Sequence, residues 1–147
     1  MIDYSEYLEG YRDAQAYDVE DGDYDADYPL TAQLARELGG PLLDLACGTG
    51  TMAIRMARLG YEVTGVDIMP EMIAWASQKA QTQGVSIDWV VADARTFHLL
   101  KQFPFIYMLG NALLFYNGFQ IRSCYGSWQQ EPLTATSRYM IYVCQRR

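Results

Sequence analysis

The segment LLDLACGTGTMA, residues 42–53, runs from aliphatic residues into a tight glycine turn and on towards a helix. A strand that breaks at Gly48-Thr49-Gly50 beside a helix start lets the backbone come close to a ligand. Turns of this kind cradle anionic or carbonyl-rich groups, so the fold must supply a strand before the turn and a helix after it.

The rest of the chain supplies that alternation. PLLDLA (41–46) reads as a buried strand and GTMAIRMARLG as a helix closed by Gly60. YEVTGVDI (61–68) is a second strand, and PEMIAWASQKAQTQG a helix with Pro70 in its first turn. VSIDWVVAD (85–93) is a third strand and FPFIYMLGN (103–111) a fourth. Repeated β-α-β units with short connections predict an α/β fold, with a mostly parallel sheet and right-handed crossovers. Ahead of them, Pro29 opens a helix, PLTAQLAREL, that Gly39-Gly40 ends. The acidic run Glu20, Asp21, Asp23, Asp25, Asp27 reads as solvated loop.

A chain of 147 residues is one domain with room for a real core. Within it the expected parts are an N-terminal cap segment (1–40), a cofactor-binding half (41–111) and a C-terminal helix and hairpin (112–147). The net charge of −7 repels phosphate backbones, which argues against a nucleic-acid partner and for a small-molecule one. Cys47, Cys124 and Cys144 make neither a disulfide framework nor a zinc site, and no cluster has metal-ligand spacing. The chain shows no secretion leader and no apolar run of the roughly 18 residues a membrane span needs, so a cytoplasmic place is expected.

Three features converge on the ends of the strands. Gly48 and Gly50 follow strand one, Asp67 closes strand two, and Asp93 closes strand three, at the carboxyl ends where parallel sheets bind ligands. Asp67 suits an acidic residue on a ribose diol. Each aspartate also has a plainer reading: Asp67 as a helix cap for PEMI, Asp93 as a loop carboxylate. GTGTMA alone fits the dinucleotide pattern GxGxxA, but Asp44 stands inside strand one where a dinucleotide fold keeps an apolar residue.

With these residues in view, the chain resembles the class I S-adenosylmethionine-dependent methyltransferases. LLDLACGTG resembles their first motif, VTGVDIMPEMI their second and WVVADARTF their third, over roughly residues 41–111. The resemblance implies S-adenosylmethionine as cofactor and S-adenosylhomocysteine as product. It implies that Ala46, Cys47, Gly48, Thr49 and Gly50 line the methionine part, mostly by backbone. Asp67 would accept both ribose hydroxyls with Ile68 against the adenine. Asp93 would take the adenine amine and the Ala94 amide a ring nitrogen. Leu109, Gly110 and Asn111 would lie under the sulfonium. Tyr11 and Tyr17 resemble the segment that covers the cofactor, with Tyr17 near the methionine end. The family often has glycine where Ala46 stands.

After Asn111 the family order fails. A fifth parallel strand and its helix are missing, as if a junction near Ala112–Leu113 joined strand four directly to the terminal helix and strand pair. The last strand is then expected to pair with strand four in the order 3-2-1-4-7-6; failing that, strand four offers an edge for a homo-oligomer. His98 is the sole histidine and a possible base, with a surface role as the alternative. Tyr125 and Trp128 could wall a substrate pocket or simply pack. Two further readings stay open: a domain that binds the cofactor without turnover, because its substrate half is short, and a nicotinamide-dependent oxidoreductase.

Overall fold

The structure, a computed structural model, describes residues 8–9, 11–21, 25–94, 96–109, 119–125, 129–132 and 141–146. In chain order its elements are α1 (Ala14–Asp21), α2 (Tyr28–Leu38), β1 (Leu42–Leu45), α3 (Thr51–Arg58), β2 (Val63–Asp67), α4 (Pro70–Thr82), β3 (Asp88–Val91), β4 (Phe105–Met108), β5 (Phe119–Tyr125) and β6 (Ile141–Arg146). Strands β1 to β4 form a four-stranded parallel sheet in the order β3-β2-β1-β4, flanked by helices. Leu42 pairs with Val63 on one side and Phe105 on the other, so β1 lies at the centre.

Strand periodicity divides the core into two layers. Leu42, Val63, Phe105 and Tyr107 face Ala32 and Ala35 of α2 and Met52, Ala53 and Met56 of α3. Leu43, Leu45 and Val66 face the other way, against Val90, Ile106 and the 94–103 connection through Phe97, Leu99 and Phe103. Every residue of β1 and β2 is therefore buried, as a parallel sheet covered on both faces requires. Helix α2 begins with Pro29 in its first turn, and the Arg55 guanidinium of α3 lies 5.5 Å from the centre of the Tyr28 ring, joining the two helices.

One aromatic residue explains two glycines. Trp89 of β3 is the register partner of Gly65 in β2. A Cβ on Gly65 would stand 2.5 Å from the Trp89 ring, and one on Gly50 would stand 2.4 Å from it. The indole thus lies flat beneath the glycine turn, and both positions must lack a side chain.

Two expectations need correction. The acidic run is not all solvated loop: Glu20 and Asp21 belong to α1, and Asp27 is only 8% exposed at the N-cap of α2. The helix meets the core there, so the backbone turn carries the carboxylate inward. Among the described residues the last strand does not extend the parallel sheet. β6 pairs antiparallel with β5 as a separate two-stranded unit, near β4 but without a ladder to it. A register irregularity falls between Ile121 and Ser123, a place where bulged strands bend and twist more strongly. Along α2, Leu30 is buried and Leu38 exposed, and Ala32 and Ala35 carry much of the packing. Gly110, Asn111, the expected junction at Ala112–Leu113, Trp128 and the side chain of Tyr125 lie outside the described residues.

Candidate cofactor site

The site is built on the carboxyl end of β1. Ala46 leaves the strand with φ 54°, a left-handed conformation that strains an alanine, and Gly48 and Gly50 follow with φ 54° and 74°. This is the physical reason a glycine would suit position 46. Two backbone bonds fix the turn: the Cys47 amide donates to the Val66 carbonyl (3.0 Å) and the Gly50 amide to the Cys47 carbonyl (2.9 Å). Gly50 then serves as the N-cap of α3 without a side-chain cap, leaving first-turn amides without that partner.

The two glycines do different work. A Cβ on Gly48 would meet nothing within 4 Å, so its outer side is open space for a ligand. Gly50 faces inward onto Trp89 and Ala76, which makes it a packing residue whose backbone alone is left for a ligand.

Asp67 closes the other wall. One carboxylate oxygen accepts the Gly48 amide at 2.8 Å and the other accepts the Met69 amide at 2.9 Å. These two bonds tie Asp67 to the backbone on either side of it. The Met69 bond forms an Asx turn that leads the chain into α4, and the Gly48 bond joins the strand-two tip to the glycine turn. Each oxygen has a second lone-pair direction, so two acceptor positions remain for a diol. Ile68, beside it, is 43% exposed, an apolar surface at the strand tip suited to an aromatic base. The Ala92 amide donates to the Asp67 carbonyl (2.9 Å), which brings the end of β3 beside the end of β2. Asp93 is half-buried there, and its carbonyl accepts the Thr96 and Phe97 amides in a turn. Ala94 and Leu109 are half-buried, packed against opposite faces of the sheet. Tyr17 of α1 stacks at 5.7 Å on Tyr11 and packs with the Ala14, Met69 and Met72 cluster, beside the segment that follows Asp67. His98 is exposed in the loop after β3. A surface depression of about 550 Å³ lined by Arg12, Gln15, Glu71, Trp75 and Gln78 contains none of the site residues expected from the sequence.

Sequence reasoning missed Asp18. From α1 its carboxylate accepts Lys79 Nζ (2.8 and 2.7 Å), Trp75 Nε1 (2.8 Å) and the Thr49 hydroxyl. Lys79 also donates to the hydroxyls of Thr49 and Thr51, each at 3.2 Å. The signal available was weak: an aspartate in a polar leader and a lysine on an amphipathic helix, 61 residues apart.

Electrostatics separates these carboxylates into two kinds. Burial pushes Asp67 up, partly countered by the amides of Met69, Gly48 and Ile68. Burial pushes Asp44 well up, against the Tyr107 hydroxyl that pulls it down, and burial likewise raises Asp27. Burial also raises Asp18, but hydrogen bonds from Lys79, Thr49 and Trp75 outweigh it, and the group ends below its ordinary value. The Cys47 thiol is pushed well up by burial and by the negative Asp44 and Asp67, so it is a neutral wall rather than a nucleophile.

The signs give a prediction. A carboxyl raised on folding is a cost at neutral pH that proton uptake removes. Asp44, Asp67 and Asp27 therefore make the fold more stable as pH falls from 8 towards the ordinary carboxylate range. Asp18 works the other way: its contribution is complete above the ordinary value and is lost as pH falls through its lowered one. The midpoint of thermal unfolding is expected to rise from pH 8 to about pH 5 and to fall below about pH 4. A flat profile across both ranges would contradict these assignments.

A parallel sheet with a glycine turn after β1 and acidic residues at the next two strand tips defines an α/β fold of the nucleotide-cofactor class. Comparison with known proteins is narrower. Residues 42–129, more than half of the chain, match the methyltransferase domain family, and the chain belongs to it. A putative methyltransferase of Bacillus subtilis, YqeM, is 54% identical over 43 residues, which is 29% of this chain and 17% of that protein. The 23S rRNA (uracil(1939)-C(5))-methyltransferase RlmD of Shewanella is 43% identical over 53 residues, 36% of this chain and 12% of that protein. The chain thus spans less than a quarter of these relatives' lengths. The solved structure of a TehB-like methyltransferase from Corynebacterium glutamicum superposes with a TM-score of 0.71 over 97% of this chain and 100% of that one, at 18% identity, a likeness of fold.

Proposed function

We propose that this domain binds S-adenosylmethionine across the Gly48–Asp67 crevice and carries out methyl transfer to a small-molecule acceptor. The carrying observation is the Asp67 carboxylate, fixed by the Gly48 and Met69 amides with acceptor capacity left over, beside an open Gly48. The residues present fit the cofactor. Asp67 holds the ribose, Ile68 covers the adenine, Asp93 and the Ala94 amide meet its edge, and the Ala46–Gly50 backbone holds the amino-acid tail. Tyr17 and Leu109 close the two sides. When bound, the cofactor supplies an activated methyl group on a sulfonium.

The protein's task is then orientation. With the cofactor bound, the Gly48–Gly50 turn would hold its amino-acid tail and so fix the direction from which an acceptor must approach the activated methyl group. The acceptor loses its proton as the methyl bond forms; acidic acceptors need no base for this. The net charge of −7 supports a small acceptor over a polynucleotide.

A second reading, binding without turnover, is favoured by one observation: among the described residues the parallel sheet stops at β4. Thermal shift separates the ligand classes. At a hundred times Kd, S-adenosylmethionine and S-adenosylhomocysteine are expected to stabilise by about 2.7 kcal/mol, and NAD to leave the midpoint unchanged. Stabilisation by NAD alone would overturn the proposal. Binding of the methyl donor with no transfer to any of a broad panel of phenol, amine, thiol and carboxylate acceptors would select the second reading.

A further inference from the structure

The glycine turn is held from behind as well as from the front. Thr49 stands between Gly48 and Gly50 and is 3% exposed, with its hydroxyl turned onto Asp18. Lys79 reaches the same carboxylate from α4 and bonds Thr49 and Thr51 as well. A single carboxylate on α1 thus joins three elements: the cap helix, the turn with the start of α3, and α4. Both charged side chains are more than four-fifths covered, so these are charge-assisted bonds in a partly dry setting rather than a solvated surface pair.

Helix α1 has little else to hold it. It has eight residues, too few for stability alone, and Val19 is 88% exposed. Its apolar anchors are Ala14 and Tyr17, against Met69 and Met72. Those two methionines lie two and five residues after Asp67, so α1 packs on the segment that Asp67 leads into. The place of α1 and the orientation of Thr49 in the turn are therefore tied through one network.

We propose that Asp18 is a positioning residue for cofactor binding: it clamps α1 onto Thr49 and Lys79, keeping the glycine turn in its binding shape and the cap closed over the crevice, and so sets how long the cofactor stays. This rests on the methyl-donor reading above. Asp18 touches the cofactor nowhere in this scheme and acts through Thr49 and α1.

The test uses the full chain. Asp18→Asn keeps the shape and removes the charge; Lys79→Gln removes the other half of the network. Each is expected to raise the dissociation rate of S-adenosylhomocysteine at least fivefold by stopped-flow displacement, with the association rate changed less than twofold. Hydrogen exchange in the ligand-free protein is expected to quicken at least tenfold at the α1 amides and to stay unchanged in β1 and β2. Val63→Ala, a core truncation at the start of β2 remote from the network, serves as the control for general loss of stability. It is expected to lower the unfolding midpoint without speeding release. Unchanged release in either folded network variant overturns the proposal. So does equally fast release from Val63→Ala, which would mean the clamp is mere stability. If calorimetry finds no binding of S-adenosylhomocysteine to the unaltered chain, the methyl-donor reading fails and this proposal with it. Binding by the unaltered chain with unchanged variants fails this proposal alone.

Discussion

Gly50→Ala is expected to lower stability by about 3 kcal/mol or more, a fall of about 10 °C in the unfolding midpoint for a domain of this size. Two costs add. The residue has φ 74°, where an alanine is strained by about 1–2 kcal/mol. Its Cβ would also stand 2.4 Å from the Trp89 ring and 2.9 Å from the Ala76 Cβ, so the indole must shift or the turn must lift. Overpacking of that kind costs typically about 1–3 kcal/mol. A double-mutant cycle divides the two. In a Trp89→Leu background the indole clash is relieved while the backbone strain and the Ala76 contact stay, so the cost of Gly50→Ala is expected to shrink by about 1–2 kcal/mol. Equal costs in both backgrounds, measured by chemical denaturation, would show that the indole does not seat under the turn.

Asp67→Ala is expected to weaken binding of S-adenosylmethionine and S-adenosylhomocysteine at least tenfold. Hydrogen bonds to a carboxylate are worth about 1.5–3 kcal/mol each, and loss of one such bond already exceeds the roughly 1.4 kcal/mol that a factor of ten requires. The variant also frees the Gly48 and Met69 amides, so the turn loses its tie to β2. Asp67→Asn separates these effects. An asparagine still offers an oxygen to one amide but must present an N–H to the other, so it is expected to fall between the two in affinity. Titration calorimetry on folded protein reads both, and an affinity for either ligand unaltered by Asp67→Ala would remove the ribose assignment.

The parallel sheet was legible because its signals are local and redundant. Each of β1 to β4 is a short apolar run, each helix between them has its own stop in Gly60 or Gly84, and the acidic residues fall at strand tips. Gly48 and Asp67, which a hydrogen bond joins, were legible too, since each is next to a break in periodicity. What the sequence hid were pairings across long separations. Trp89 beneath Gly50 reverses the simple reading of the second glycine, because nothing near residue 50 announces a ring from residue 89. Asp18 was hidden for the same reason: its partners are on α4 and in the turn, while its neighbours in sequence read as a solvated acidic leader. The separate β5–β6 ribbon was misjudged because alternation predicts a strand, while twist and bulges decide which sheet it joins.

The central place of β1 bears on how the chain emerges from the ribosome. Leu42 takes its first neighbour at Val63 but its second only at Phe105. Throughout synthesis of the intervening stretch, a strand destined for full burial has one bare backbone edge, with the complementary segment still untranslated. Nascent chains stalled between these points should be the species most dependent on chaperones, and slow codons placed there should cost soluble yield more than the same codons placed after Met108.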